Sequence, residues 1–272
     1  MSLNSNLLKS ITYNSDLVPT KDEFPFNLHI FQNFKRLNLE SSVTFLVGEN
    51  GSGKSTFLEA LACKIGSITI GSTGINQDKS LDSVRPIANC FKLSWSKKTK
   101  NGFFLRAEDF FGYIKQISSI KAELKSNIES IDKEYENRSE YAKGLAKMPH
   151  AGQLHALENN YEKGLESYSH GESFLELFQA RIKPKGLYIL DEPEAPLSPF
   201  RQLGFISLLK QMVEQGSQFI IATHSPIIMA FPNAEIYSFD ADEIQKVDYE
   251  NLEHVTLTKS FLQNPQSYLN RL

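Results

Sequence analysis

Nine residues, Gly48-Glu49-Asn50-Gly51-Ser52-Gly53-Lys54-Ser55-Thr56, carry the most specific chemistry in the chain. They match the pattern G-x-x-x-x-G-K-[ST]. Glycines in such a loop let the backbone turn tightly and aim its N–H groups at phosphate oxygens. A helix opening behind the loop adds its positive end. Lys54 can reach the β- and γ-phosphates, and Ser55 offers a hydroxyl to Mg²⁺. Two further clusters supply what a phosphate cradle lacks. The apolar run Leu187-Tyr188-Ile189-Leu190 leads straight into Asp191-Glu192. A buried strand ending in an acid pair can bring Asp191 to the metal through water and Glu192 to an attacking water as general base. Gln218-Phe219-Ile220-Ile221-Ala222 leads into Thr223-His224-Ser225. Polar residues at the end of a parallel strand face the crevice where open α/β sheets bind ligands. There His224 can hydrogen-bond a γ-phosphate oxygen and sense its loss.

The elements around these clusters are the ones that must position them. Val43-Thr44-Phe45-Leu46-Val47 reads as a buried strand ahead of the cradle, and Phe57, Leu58, Leu61, Ala62 and Ile65 follow at helical spacing until Gly66. Leu7 to Tyr13 alternates weakly as a first strand, and Phe31, Phe34, Leu37 and Leu39 suit a strand or hairpin. Ile68-Thr69-Ile70 suits a short strand. Phe91 to Trp95 alternates with period two, and Phe103-Phe104-Leu105 reads as its partner across an Asn101-Gly102 hairpin turn. Lys92, Lys97, Lys98 and Lys100 make this region a basic knob, either a solvated tip or a contact for nucleic acid or an acidic partner. Glu108 to Tyr141 is helical, with Ile117, Leu124, Ile128, Ile131 and Tyr135 near a heptad seam, too few heptads for a long coiled coil. Gly144 to Gly152, with Pro149 inside, reads as a break, and Gln153 to Glu166 as a weaker helical stretch. Ser198-Pro199 opens a helix that runs to about Glu214. Glu235 to Phe239 and Glu243 to Val247 form a hairpin around Asp240-Ala241-Asp242, and short helices close the chain from about Thr256 to Leu269.

Composition limits the alternatives. The chain has 272 residues, 40% hydrophobic and 22% charged, with a formal net charge of −3, an ordinary globular balance. A whole-surface nucleic-acid binder is usually basic, so any such contact is a local patch. Cys63 and Cys90 are not in a C-x-x-C pair, which argues against a zinc site or a disulfide framework. No apolar run reaches the roughly 18–20 residues of a membrane span. The N-terminus lacks a secretory pattern, so a cytoplasmic location without membrane insertion is the expectation.

Taken together and in order, residues 48–56, Ile-Leu-Asp-Glu-Pro-Glu (189–194) and Ala-Thr-His-Ser-Pro (222–226) resemble the ATP-binding-cassette ATPases. The chain looks most like the small stand-alone bacterial ATPases of that superfamily, related in their heads to SMC- and RecF-type DNA-repair ATPases. The similarity extends over nearly the whole chain, including 102–111 and 169–174, and is weakest over about 113–150. It implies an α/β P-loop NTPase fold of the cassette-head type, with a mixed or parallel central sheet and an N-terminal antiparallel β part. One domain would span residues 1–272, with a helical arm inserted at 107–166. It also implies a signature loop before a helix at Ser173 to Arg181. Tyr168-Ser169-His170-Gly171-Glu172 occupies that place, where Ser169 and the Gly171 N–H would contact the γ-phosphate. His170 and Glu172 replace the usual glycine and glutamine. Cassettes read each other's nucleotide through this loop, so ATP with Mg²⁺ would join two copies head to tail, and hydrolysis would part them. The partner that such a cycle gates would be DNA or another protein, for example a nuclease, in DNA repair or phage defence. The alternative is the energy subunit of a membrane transporter. Glu108 occupies roughly the place of the family's glutamine loop, or acts as a helix-capping acid. Phe24, Phe26 or a residue near Lys35-Arg36 would serve as an adenine platform.

Overall fold

The computed structural model describes residues 6–69, 79–159 and 170–270. Two sheets carry the fold. The larger has six strands in the order β5 (Phe104–Arg106), β6 (Leu187–Asp191), β7 (Gln218–Ala222), β3 (Val43–Val47), β8 (Glu235–Ser238) and β9 (Gln245–Lys246). The first five are parallel, and β9 turns back antiparallel on β8. Every residue of β3, β6 and β7 is buried, as expected for parallel strands covered on both faces. The smaller sheet is antiparallel, β2 (Arg36–Asn38), β1 (Leu8–Tyr13) and β4 (Phe91–Trp95).

Alternation along the buried strands divides two cores. Leu46, Ile189 and Ile220 face α2 (Lys54–Ile65) and the small sheet, where Phe57 meets Phe91 at 5.3 Å and Phe239 at 5.5 Å between ring centres. Helices α1 (His29–Asn33) and α3 (Arg85–Cys90) close this side. Val43, Phe45, Tyr188, Leu190, Phe219 and Ile221 face the other way. There they meet α6 (His170–Arg181), α7 (Pro199–Glu214), α8 (Pro226–Met229) and α9 (Glu253–Gln263), which is followed by α10 (Pro265–Leu269). Ser198 caps α7 by accepting from the Arg201 N–H, with Pro199 at the first turn.

One buried amide ties the two sheets together. A bulge between Leu8 and Ser10 interrupts the β1–β4 ladder. The Gln218 side chain takes up the freed groups, accepting from the Leu8 N–H at 2.8 Å and donating to the Leu8 carbonyl at 3.0 Å.

Three local expectations need correction. Phe91–Trp95 and Phe104–Arg106 do not form a hairpin. β4 pairs with β1 and β5 with β6, so the segment between them crosses from one sheet to the other. Gly102 is the point of closest approach. Its φ is +131°, and a Cβ there would lie 1.8 Å from the Leu187 carbonyl oxygen, so this glycine permits strand insertion rather than a two-residue turn. Residues 31–39 are not one strand or hairpin: α1 precedes β2, because Ile30 and Phe31 are buried on a helical face. The chain is not broken at Gly144 to Gly152. It turns at 135–139, between α4 (Ala107–Glu134) and α5 (Glu140–Asn159), and α5 runs through Gly144, Pro149 and Gly152. Packing along α4, with Asp132 bound to both Lys143 and Lys147, outweighs the local cost of those residues. Thr69 makes one parallel bridge to Phe104, and Ile70 lies outside the described residues.

Candidate functional site

The chemistry converges on the carboxyl ends of four adjacent strands. The ladder aligns Arg106 with Asp191, Asp191 with Ala222, and Ala222 with Leu46. Past these positions lie Glu192, His224 and the 48–53 loop, at the end of the sheet where α/β folds bind ligands.

The loop's shape is set by its glycines and its own hydrogen bonds. Gly48, Gly51 and Gly53 all have positive φ. A Cβ at Gly48 would meet Asp240 Oδ1 at 2.8 Å. That same oxygen accepts the Glu49 N–H at 2.5 Å, so Asp240, from the β8–β9 hairpin, fastens the loop to the sheet. Lys54 is buried, and its Nζ donates to the carbonyls of Gly48 and Glu49 at 2.7 and 2.9 Å and to Ser52 Oγ at 3.4 Å. Burial pulls the Lys54 pKa down, and Asp240, Asp191, Glu192 and Glu49 oppose that. Gly53 provides no side-chain cap for α2. The Phe57 N–H is the one that bonds back to the Gly53 carbonyl, so the N–H groups of residues 54–56 have no intrahelical acceptor. They lie at the positive end of the helix.

The acidic side is arranged differently. Asp191 is buried, and desolvation lifts its carboxyl to about 7, with the Ser55 hydroxyl pulling it down and Glu192 and Glu59 pushing it up. Its Oδ1 has no hydrogen-bond partner. Glu192 follows in the left-handed region at φ +50°, with its N–H on the Ala222 carbonyl at 2.9 Å. This uncommon backbone state for a non-glycine residue leaves the side chain about half exposed, with Oε1 at 3.8 Å from His224 Nε2. Ser55, Glu59, Arg106, Glu108, Asp191 and Glu192 line a cavity of 290 Å³.

A metal and a nucleotide fit this donor set. Among the described residues no cluster of three or more His, Cys, Asp or Glu side chains forms a protein-only metal cage. One hydroxyl, one buried carboxylate with an orphaned oxygen and a helix end for phosphates suit Mg²⁺, which shares its coordination with phosphate and water.

The family model described as ABC transporter matches residues 36–195. The chain belongs to the ATP-binding-cassette superfamily. It is therefore an ATPase of a family that binds ATP, typically with Mg²⁺. No curated protein matches it. The solved structures similar to it include the following three. The Smc head domain of Pyrococcus furiosus, bound to the C-terminal domain of ScpA, is 13% identical over 96% of this chain and 100% of that one, with a TM-score of 0.46. cbiO1 of Clostridium perfringens, part of the ABC transporter complex cbiONQ, is 16% identical over 98% and 100%, at 0.47. A nucleotide-free ATP-binding cassette from an ABC transporter is 15% identical over 96% and 99%, at 0.48.

Within this cassette, several residues carry contacts that sequence reasoning left unassigned. Arg106 is buried at the end of β5. It donates to both Asp109 oxygens at 2.8 and 2.9 Å and to Glu59 at 3.2 Å. Burial works against its charge, yet these acids and Glu108 hold its pKa above the usual arginine value. Burial also raises the Glu59 pKa. Glu194 accepts the His224 N–H at 2.6 Å, and its Oε2 and His224 Nε2 have no hydrogen-bond partner. The Ser225 hydroxyl caps α8 and donates to Gln202 on α7 at 2.5 Å, which holds the 223–225 turn in place. A carboxylate two positions past the Asp-Glu pair is the sequence signal for Glu194. The contacts of Arg106 with Glu59 and of Asp240 with the Glu49 N–H have none, because those partners lie far along the chain.

The remaining expected residues are placed as follows. Glu108 is in the first turn of α4, exposed at the cavity and 3.5 Å from Arg106 Nε. Ser169 lies outside the described residues. His170 and Gly171 fall in the first turn of α6, which begins ahead of the expected Ser173. Phe26 is buried in the core and is not available as an adenine platform, whereas Phe24, Lys35 and Arg36 are exposed. Among the described residues no helix is long and apolar enough to cross a membrane.

Proposed function

We propose that this ATPase works as an ATP-gated homodimer that controls a partner. The observation that carries the reading is the convergence of Lys54, Ser55, Asp191, Glu192 and His224 from three strand ends on one site. Residues 48–56 cradle the triphosphate, Ser55 and Asp191 hold Mg²⁺, and the bound metal neutralises charge on the phosphates. Lys54 leaves its carbonyl partners for phosphate oxygens. Glu192 takes the proton of the attacking water. His224, positioned by Glu194, hydrogen-bonds the γ-phosphate. Ser169 and the Gly171 N–H of a second copy complete the site. The 107–166 arm is an insertion in a single domain, and it is the docking element for the partner, which is DNA or an effector protein such as a nuclease. DNA repair or phage defence is the setting.

Glu192→Gln tests this. The variant is expected to lose turnover by about 10³-fold and to form a stable dimer in excess ATP and Mg²⁺. A monomer by light scattering under those conditions removes the dimer model. A second reading, the energy subunit of a transporter, is favoured by the description of the matching family model. DNA-stimulated turnover, or capture of an effector by the locked variant, separates the first reading from it.

A further inference from the structure

The lysine-rich stretch around β4 has a cavity of its own, remote from the phosphate loop. It measures 510 Å³, within the range of small-molecule sites. Lys64 contributes from the last turn of α2, about 15 Å along that helix from Lys54. Lys92 and Trp95 contribute from β4, and Lys98 from the loop beyond it. Three lysines therefore border this cavity, although alternation along β4 puts the Lys92 side chain on the face opposite Trp95, and among the described residues the lining includes no acid, in a chain of net charge −3. The Lys64 ammonium is close enough to the Cys90 thiol on the cavity lining to oppose the rise that burial imposes on it. Trp95 is half-buried at the wall. A second cavity of 280 Å³ shares Ile65, Trp95 and Thr99 with the first and adds Lys100, so the groove continues past the indole.

An indole face beside convergent cations selects a ligand with a planar ring and more than one negative charge. Stacking on the indole is indifferent to base identity, and ammonium groups recognise phosphate as point charges. We propose that this groove binds a nucleoside phosphate, with its base against Trp95 and its phosphate held by Lys64 and Lys98. A free nucleotide and the phosphorylated end of a single strand present the same chemistry, the first needing only the larger cavity and the second extending toward Lys100.

Trp95 is the single tryptophan of the chain, so its emission reports this groove directly. The test uses full-length Lys54→Ala protein, in which the phosphate loop is disabled. It is titrated separately with AMP and with a 5′-phosphorylated oligothymidylate, by fluorescence and by calorimetry. Saturable quenching is expected with at least one probe, weakened about tenfold by Lys64→Glu and again by Lys98→Glu. Response to AMP identifies a free nucleotide as the ligand; response to the oligonucleotide at lower concentration identifies a strand end. Neither quenching nor heat with either probe overturns the proposal. So does quenching that is indifferent to both charge reversals, whose exposed positions leave the fold intact.

Discussion

The two halves of the site differ in how their polar groups are satisfied. On the phosphate-loop side, Lys54 has three acceptors and the Glu49 N–H is held by Asp240. On the facing side, Asp191 Oδ1, Glu194 Oε2 and His224 Nε2 have no partner. Buried polar atoms without partners are costly, so the facing side is where a ligand gains most by arriving. The loop is preorganised by its own backbone. The acids and the histidine are held in place by the sheet, and under the proposed function they would complete their contacts with metal and nucleotide.

The contrast can be broken at Lys54, where the largest effect is expected. Lys54→Ala removes the one cation inside the loop and should abolish measurable ATP binding, with turnover down by on the order of 10³-fold. Unchanged affinity by calorimetry would sink the assignment of the loop. Asp191 sharpens it from the other side. Its folded pKa of about 7 lies above the ordinary 3.8, so the folded state holds the proton more tightly. The contribution of Asp191 to stability without ligand is then greatest below pH 3.8, falls as pH rises toward 7 and levels off above it. Mg²⁺ requires the ionised form, so metal affinity should rise with pH through the same window. Asp191→Asn should remove that slope and raise the melting temperature above pH 7 by roughly 5 °C while Mg²⁺-dependent turnover is lost. Melting curves of the two proteins with the same pH slope would show that the orphaned carboxylate is not the cause. The smallest effect is expected at Asp240. Asp240→Ala removes the acceptor of one N–H and should cost about 1 kcal/mol in chemical denaturation, with ATP affinity reduced severalfold. A neutral outcome would mean the loop holds its shape without the β8–β9 hairpin.

Legibility in the sequence followed the range of the interaction. The strands at 43–47, 187–191 and 218–222 were readable because burial on both faces leaves a continuous apolar run. The cap at Ser198 and the αL stop at Gly66 were readable because both are local. The partner of β4 was not, because alternation reports that a strand has a face and not which strand lies beside it. The helix α5 was misread for the opposite reason: Gly144, Pro149 and Gly152 are weak helix formers, and the contacts with α4 that override them are absent from a local window. Lys54, Ser55, Asp191, Glu192 and His224 were named from motif and strand-end position, and the structure brings them to one end of the sheet, whereas Ser169 and Gly171 were named only through the family resemblance.

By itself the sequence determined a phosphate-binding loop, because phosphate binding demands particular residue types at short, fixed spacing, and its resemblance to the cassette ATPases supplied the family that the family model bears out. Only the tertiary structure decided which groups surround them. Asp240 reaches the loop across 191 positions, Gln218 clamps β1 across 210, and Arg106 meets Glu59 across 47. Such contacts are set by strand order and by which face of the sheet each residue takes, and neither is written in any local stretch of chain.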